Sequence, residues 1–204
     1  MSVSFSAMTA SLQRVCVYCG SSDGLRPEYI AAARNLGALL ATRGQTLVYG
    51  GGRVGLMGAM ADAAIAAGGE VIGVIPHALV QREVAHHGLT ALHVVDSMHE
   101  RKSMMSELAD GFVALPGGLG TLEEFFEIWT WAQLGVHRKP VGLLDVARYW
   151  HSLVMMLEHA EAEGFLRGMP RQWLVMESDA ATLLDRMSTF EPPPVRRWLR
   201  LGDT

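Results

Sequence analysis

The sequence predicts an α/β fold: a single-domain, Rossmann-like, doubly wound parallel sheet with helices on both faces. Three observations lead there. Seven short apolar runs alternate with helix-length periodic segments, the runs are apolar at nearly every position, and two glycine-rich loops sit where a strand passes into a helix. Strands without polar alternation are buried on both faces, as in a parallel sheet covered by helices, and a βαβα order builds that sheet. The runs are Val15–Tyr18, Thr46–Tyr49, Val71–Ile75, Leu92–Val95, Phe112–Leu115, Val141–Leu144 and Leu174–Met176.

Residues 1–13 carry no side-chain charge and contain five Ser or Thr, but no basic stretch, so they predict a flexible N-terminal segment instead of a signal peptide. Cys16 and Cys19 follow. Three apart on a strand they face opposite sides, which predicts buried free thiols; two ligands alone make no structural zinc site. The segment Pro27 to Arg43 opens on proline and stops at Gly44, the punctuation of a helix.

The second run leads into Tyr49-Gly-Gly-Gly-Arg-Val-Gly-Leu-Met-Gly58, which opens an alanine-rich helix. Gly50, Gly52 and Gly55 satisfy G-x-G-x-x-G, in which backbone amides and a helix N-terminus hold phosphate. Three readings stand: a phosphate or nucleotide site, a nicotinamide site, or a tight strand-helix turn. Against the nicotinamide reading, the acid expected about 20 residues on belongs near the end of the next strand. Glu70 has that spacing but precedes the strand.

Ser97 to Glu100 forms a capping-box pattern that starts a helix from Met98 to Ala109. On it Arg101 shares a face with Met104, Met105 and Leu108. A buried guanidinium needs an anion; from the first turn it can instead snorkel to water. Lys102 and His99 point elsewhere and are expected to be solvated. The second glycine loop, Leu115-Pro-Gly-Gly-Leu-Gly-Thr-Leu-Glu-Glu124, lets backbone approach a ligand and adds the Thr121 hydroxyl near free helix amides. Thr121 and Glu124 equally fit a capping box, and Glu123 is not distinguished from Glu124 by spacing. In the helix that follows, Leu122, Phe125, Phe126 and Trp129 form one apolar stripe and Ile128 with Trp131 another. Such a helix is expected to be buried all round, which in so short a chain points to burial by a second subunit. Pro192-Pro193-Pro194 ends the last helix, which sets a domain at 14–190 and a tail at 191–204.

Composition excludes several classes. A chain of 204 residues, 50% hydrophobic and 19% charged, buries about 70% of its unfolded surface and is not disordered. A net charge of −4 gives no positive field for nucleic acid or an anionic membrane. No run approaches the roughly 18 apolar residues of a membrane span, and a cytoplasmic protein is expected. Lys102 and Lys139 are the only lysines and no Gly-Lys pair occurs, which leaves no Walker lysine and few Schiff-base candidates.

Val-Tyr-Cys-Gly-Ser-Ser (17–22), Tyr-Gly-Gly-Gly with Gly-Leu-Met-Gly (49–58), Met-His-Glu-Arg-Lys (98–102), Pro-Gly-Gly-Leu-Gly-Thr-Leu-Glu-Glu (116–124) and Thr-Trp-Ala-Gln-Leu-Gly (130–135) occur in that order. The chain from about residue 14 to 190 thereby resembles the LONELY GUY family of cytokinin-activating phosphoribohydrolases. The resemblance implies hydrolysis of the N-glycosidic bond of a purine or N6-substituted adenine ribonucleoside 5′-monophosphate, AMP included, to free base and ribose 5-phosphate. It matches Arg101 and Glu124 to the catalytic pair, and Glu83, Lys102, Gly118, Leu119, Gly120, Thr121 and Thr130 to substrate contacts. Candidate contacts extend to Leu122, Glu123, Gly51 and Gly52. Leu119 stands where many relatives have Tyr.

The family resemblance implies a homodimer or larger homo-oligomer with its site near the subunit boundary. The residue types suit the reaction. A carboxylate stabilises the oxocarbenium-like ribose or orients water, and a fixed arginine holds phosphate or the departing purine. Hydrolysis needs only water, and neither glycine loop presents a metal-ligand cluster, so no cofactor and no metal are expected. A non-catalytic nucleotide or molybdenum-cofactor binder on the same fold is the alternative; such a binder is expected to lack the Arg and Glu pair.

Overall fold

Strand β1 (Arg14–Tyr18) runs through the middle of a sheet whose order is β4-β3-β2-β1-β5-β6-β7. The remaining strands are β2 (Thr46–Tyr49), β3 (Val71–Pro76), β4 (Ala91–Val95), β5 (Gly111–Ala114), β6 (Val141–Leu144) and β7 (Leu174–Glu177), and every pairing is parallel. The computed structural model describes residues 12–80, 85–166 and 173–193. Each predicted strand is present, displaced by one residue at most at either end. The flexible N-terminal segment and the tail expected from sequence lie, apart from residues 12–13 and 191–193, outside the described residues.

Seven helices connect and flank the strands among the described residues: α1 (Pro27–Thr42), α2 (Gly55–Ala66), α3 (His77–Val80), α4 (Met98–Leu108), α5 (Leu119–Gln133), α6 (His151–Ala162) and α7 (Ala180–Ser188), with a 3-10 turn at Val146–Arg148. No described helix is long and apolar enough to cross a membrane. Alternation along the strands sorts side chains into two cores. Val15, Val17, Leu47 and Tyr49 pack under α1, α2 and α7. Cys16, Tyr18, Val48 and Phe112 meet residues of α4 and α5 together with Trp150 and Trp173 on the other face.

Cys16 and Cys19 are both free and buried, one in each core, as their spacing requires. Burial pushes both thiols far above their ordinary range. The predicted start of α4 also forms. Ser97 Oγ accepts from the Glu100 amide at 3.1 Å, while the Glu100 carboxylate accepts from Asp96 N at 2.9 Å, one residue before the partner of an ideal capping box.

The chain leaves the centre at β1, builds outward to β4, then returns to lay β5 beside β1. Connections from β1 and β5 therefore diverge to opposite sides of the sheet. In such sheets the crevice opens at the carboxyl ends of those two strands. Gly20 after β1 donates to the Pro116 carbonyl after β5 at 3.1 Å, so the two loops at that point are joined.

Candidate active site

Arg101 lies in the first turn of α4 and is 6% exposed, so it does not snorkel to water. Its side chain runs with Met105 and the half-buried Met104 and Leu108 into the second core and reaches over the end of β2. There it meets Gly50. A methyl group on Gly50 would stand 2.1 Å from Nη2 of Arg101, so a larger residue there would displace the guanidinium from its present position. Nη2 is 3.5 Å from Oε1 of Glu124, and the two side chains are 7% and 11% exposed. Nη1 has Met98 Sδ at 3.8 Å, and Nε has no hydrogen-bond partner among the described residues. A buried cation engaged only at long range by its protein neighbours is one whose donors remain for a ligand anion.

Glu124 is in the second turn of α5 and does not cap it. The N-cap is Gly118, and no side chain caps the helix. Thr121 is 4% exposed within the first turn, its hydroxyl packed against Gly117. A methyl group on Gly117 would stand 2.1 Å from Thr121 Oγ1 and 2.8 Å from Gly20 N. The capping box that the T-x-x-E spacing suggested is thus not formed. The helix begins earlier, on a glycine whose lack of a side chain leaves the first-turn amides uncapped. Gly118, Leu119 and Gly120 are exposed there, Leu119 at 85%. A helix start of this kind supplies N–H donors to an anion.

Lys102 departs from expectation. Its side chain is 11% exposed, with Nζ 2.6 Å from Glu123 and 2.9 Å from Glu127. Burial alone would lower its pKa, but hydrogen bonds and charges from Glu123 and Glu127 outweigh that and raise it. The bridges tie α4 to α5 beside Arg101 and Glu124 and hold the pair face to face. Spacing could not show this, because it reveals which face of a helix a residue occupies and not what opposes that face. Lys139, the other lysine, is half-buried and donates to the Ser106 carbonyl at 2.8 Å.

The first glycine loop is occupied largely by its own chain. The Gly51 carbonyl accepts from His86 N at 3.1 Å, and Gly52 forms an isolated bridge with Ala85. His86 is buried; Nδ1 accepts from Gly88 N at 3.1 Å, which leaves Nε2–H to face Asp62 at 2.9 Å. Glu83 lies outside the described residues. Glu70 accepts from the Thr46 hydroxyl at 3.1 Å before β3, at the edge remote from the crevice. Thr130 is exposed and donates to the Phe126 carbonyl of its own helix at 2.6 Å. Six residues beyond Glu124, it stands about 9 Å along the helix and roughly 240° around it. The structure therefore brings Arg101, Glu124, Thr121 and the Gly117–Gly120 turn to one crevice, and leaves Thr130 on another face.

Beside the crevice a cavity of about 240 Å³ is lined by Gly20, Ser22, Tyr29, Pro116, Gly117 and Tyr149, among others. Tyr149 was not legible as a site residue. Nothing in its sequence neighbourhood marks it.

Fold and crevice define a Rossmann-like α/β protein with a candidate site at the switch point of its sheet. Residues 57–187 match the protein family described as "Possible lysine decarboxylase". Cytokinin riboside 5′-monophosphate phosphoribohydrolase LOG7 of Arabidopsis thaliana is 48% identical over 180 residues, 88% of this chain and 83% of that protein. A protein of the same description from Rhodococcoides fascians is 49% identical over 166 residues, 81% of this chain and 84% of its own. The chain belongs to this family of phosphoribohydrolases. Among solved structures, the molybdenum cofactor carrier protein of Chlamydomonas reinhardtii aligns with a TM-score of 0.63 at 20% identity, covering 87% of this chain and 96% of that one. The molybdenum cofactor binding protein of Rippkaea orientalis gives 0.62 at 22%, covering 84% and 93%. These two likenesses are of fold.

Proposed function

We propose that the protein hydrolyses the N-glycosidic bond of purine or N6-substituted adenine ribonucleoside 5′-monophosphates, AMP included, to free base and ribose 5-phosphate. The observation that carries this reading is the buried Arg101–Glu124 pair, 3.5 Å apart over the end of the central strands, with the Nε donor of Arg101 unpartnered among the described residues. The relatives' described activity supplies the reaction class, and the residue types supply the chemistry.

In this reading the 5′-phosphate sits on the uncapped amides of Gly118 to Thr121 at the start of α5, with Leu122 and Glu123 behind them. The α5 dipole favours an anion at that end. Glu124, one turn further in, then faces the anomeric carbon. As the purine leaves, the ribose becomes oxocarbenium-like, and a carboxylate fixed in a largely dry site stabilises the charge and orients water for attack. Arg101 donates to phosphate or to the departing base. Lys102 acts by bridging the two helices.

The same reading places the working site at a homodimer or larger assembly. Phe126 is 37% exposed, Leu122 and Trp131 are half-buried, and α6 has no buried residue while Met155 and Met156 are exposed. A second copy covering α5 would bury this apolar surface and bring Thr130 to the neighbouring crevice. Two buried free thiols fit a reducing, cytoplasmic setting. The test is incubation of the pure protein with AMP and detection of adenine. Release supports the reading; tight nucleotide binding without release identifies a non-catalytic binder instead.

A further inference from the structure

We infer that Tyr149 is a positioning residue for the phosphate-binding turn, a role that rests on the proposed phosphoribohydrolase activity. Tyr149 follows the 3-10 turn Val146–Arg148 and donates its hydroxyl to the carbonyl of Gly117. In a trans peptide unit the C=O and the following N–H point in opposite directions. Anchoring the Gly117 carbonyl on Tyr149 therefore aims the Gly118 amide the other way and fixes the plane from which α5 departs. Gly117 is clamped from its other side by Thr121 and Gly20, where no Cβ would fit.

The chain holds Tyr149 there against a local cost. Ala147 and Arg148 are consecutive non-glycine residues at φ 51° and 61°, in the left-handed region that L side chains avoid. Such conformations persist where surrounding contacts over-determine them, and they gather at functional sites. Arg26 Nη1 donates to the Ala147 carbonyl at 3.3 Å. The Tyr29 ring meets the Tyr149 ring edge-on at 5.8 Å, and Trp150, its amide held by Asp145 Oδ1 at 2.8 Å, packs edge-on to Tyr149 at 4.9 Å. Ring and backbone are thus fixed independently of the hydroxyl, whose hydrogen-bond partner among the described residues is the Gly117 carbonyl.

Tyr149→Phe keeps the ring contacts and removes only the anchor. The expected result is a KM for AMP raised about tenfold and affinity for ribose 5-phosphate, measured by calorimetry, weakened by the same factor. kcat for AMP should fall too, by a smaller factor than KM rises, because the phosphate helps place the ribose; the melting temperature should stay within a few degrees, and the residual rate on adenosine, which has no phosphate to place, should be unchanged. Ribose 5-phosphate affinity equal to that of the unsubstituted protein would overturn the role, as would equal losses on AMP and adenosine, which would mark a general structural defect. If the unsubstituted protein neither cleaves AMP nor binds ribose 5-phosphate, the proposed function itself fails, and this role with it.

Discussion

Replacing Glu124 by Gln removes a charge while leaving side-chain shape and the neighbouring helix start intact, since α5 is not capped by this residue. A charge of about one half on the ribose, about 4 Å from the carboxylate at an effective dielectric of about 20, is stabilised by about 2 kcal/mol. Losing one preorganised electrostatic group costs about 3 kcal/mol in measured cases. kcat for AMP should therefore fall roughly a hundredfold with KM little changed. The substitution also leaves Arg101, 3.5 Å away and 7% exposed at its side chain, facing a neutral amide in place of a carboxylate. Because the amide carbonyl still accepts, stability should drop by about 1 kcal/mol, or roughly 2–4 °C for a chain of this size. The assay is adenine release by chromatography well below the melting transition, paired with a thermal melt. A kcat within threefold of the unsubstituted protein would refute the reasoning, whatever the melting temperature does.

Two further outcomes are expected. His137 is held neutral by burial, with its pKa pushed from 6.5 down to about 4, while its Nε2 lies 2.8 Å from the Ile128 carbonyl and its Nδ1 accepts from Lys139 N. A depressed histidine pKa contributes stability that is full above 6.5 and is lost as pH falls towards 4, up to about 3 kcal/mol in all; His137→Gln should flatten that part of the denaturation profile, and an unchanged profile would contradict the assignment. Phe126→Glu on the outer face of α5 should convert an oligomer to a 22.2 kDa particle in light scattering; an unsubstituted protein already of that mass at micromolar concentration would contradict the shared site.

The strands were legible because a parallel sheet covered on both faces writes itself as continuous apolar runs, and Cys16 and Cys19 fall in separate cores by simple alternation. Arg101 was legible for a similar reason: a cation on an apolar stripe is anomalous wherever it ends up. What sequence left open was contact across elements. The T-x-x-E pattern fits a cap, and only the earlier helix start at Gly118 excludes one. Lys102 reads as a solvated residue until α5 is laid beside α4 with Glu123 and Glu127 in reach. Gly50 belongs formally to a dinucleotide fingerprint, yet its missing side chain makes room for the Arg101 guanidinium. Tyr149 lies 32 residues from the carbonyl it holds, and no local pattern records a bond at that separation.

In the proposed reading this crevice recognises a nucleotide through its 5′-phosphate and cleaves it at the anomeric carbon. Comparing kcat/KM of the unsubstituted protein for AMP and for adenosine tests it most directly. Uncapped first-turn amides on α5 and the incompletely partnered Arg101 have no anion to meet in a neutral nucleoside. Binding energy from the remote phosphate serves to place the ribose against Glu124, so its loss should lower kcat as well as raise KM. Adenine and ribose 5-phosphate should be released in equal amounts from AMP, with adenosine poorer by about a hundredfold or more. Equal kcat/KM for the two substrates, or no adenine from AMP, would contradict it.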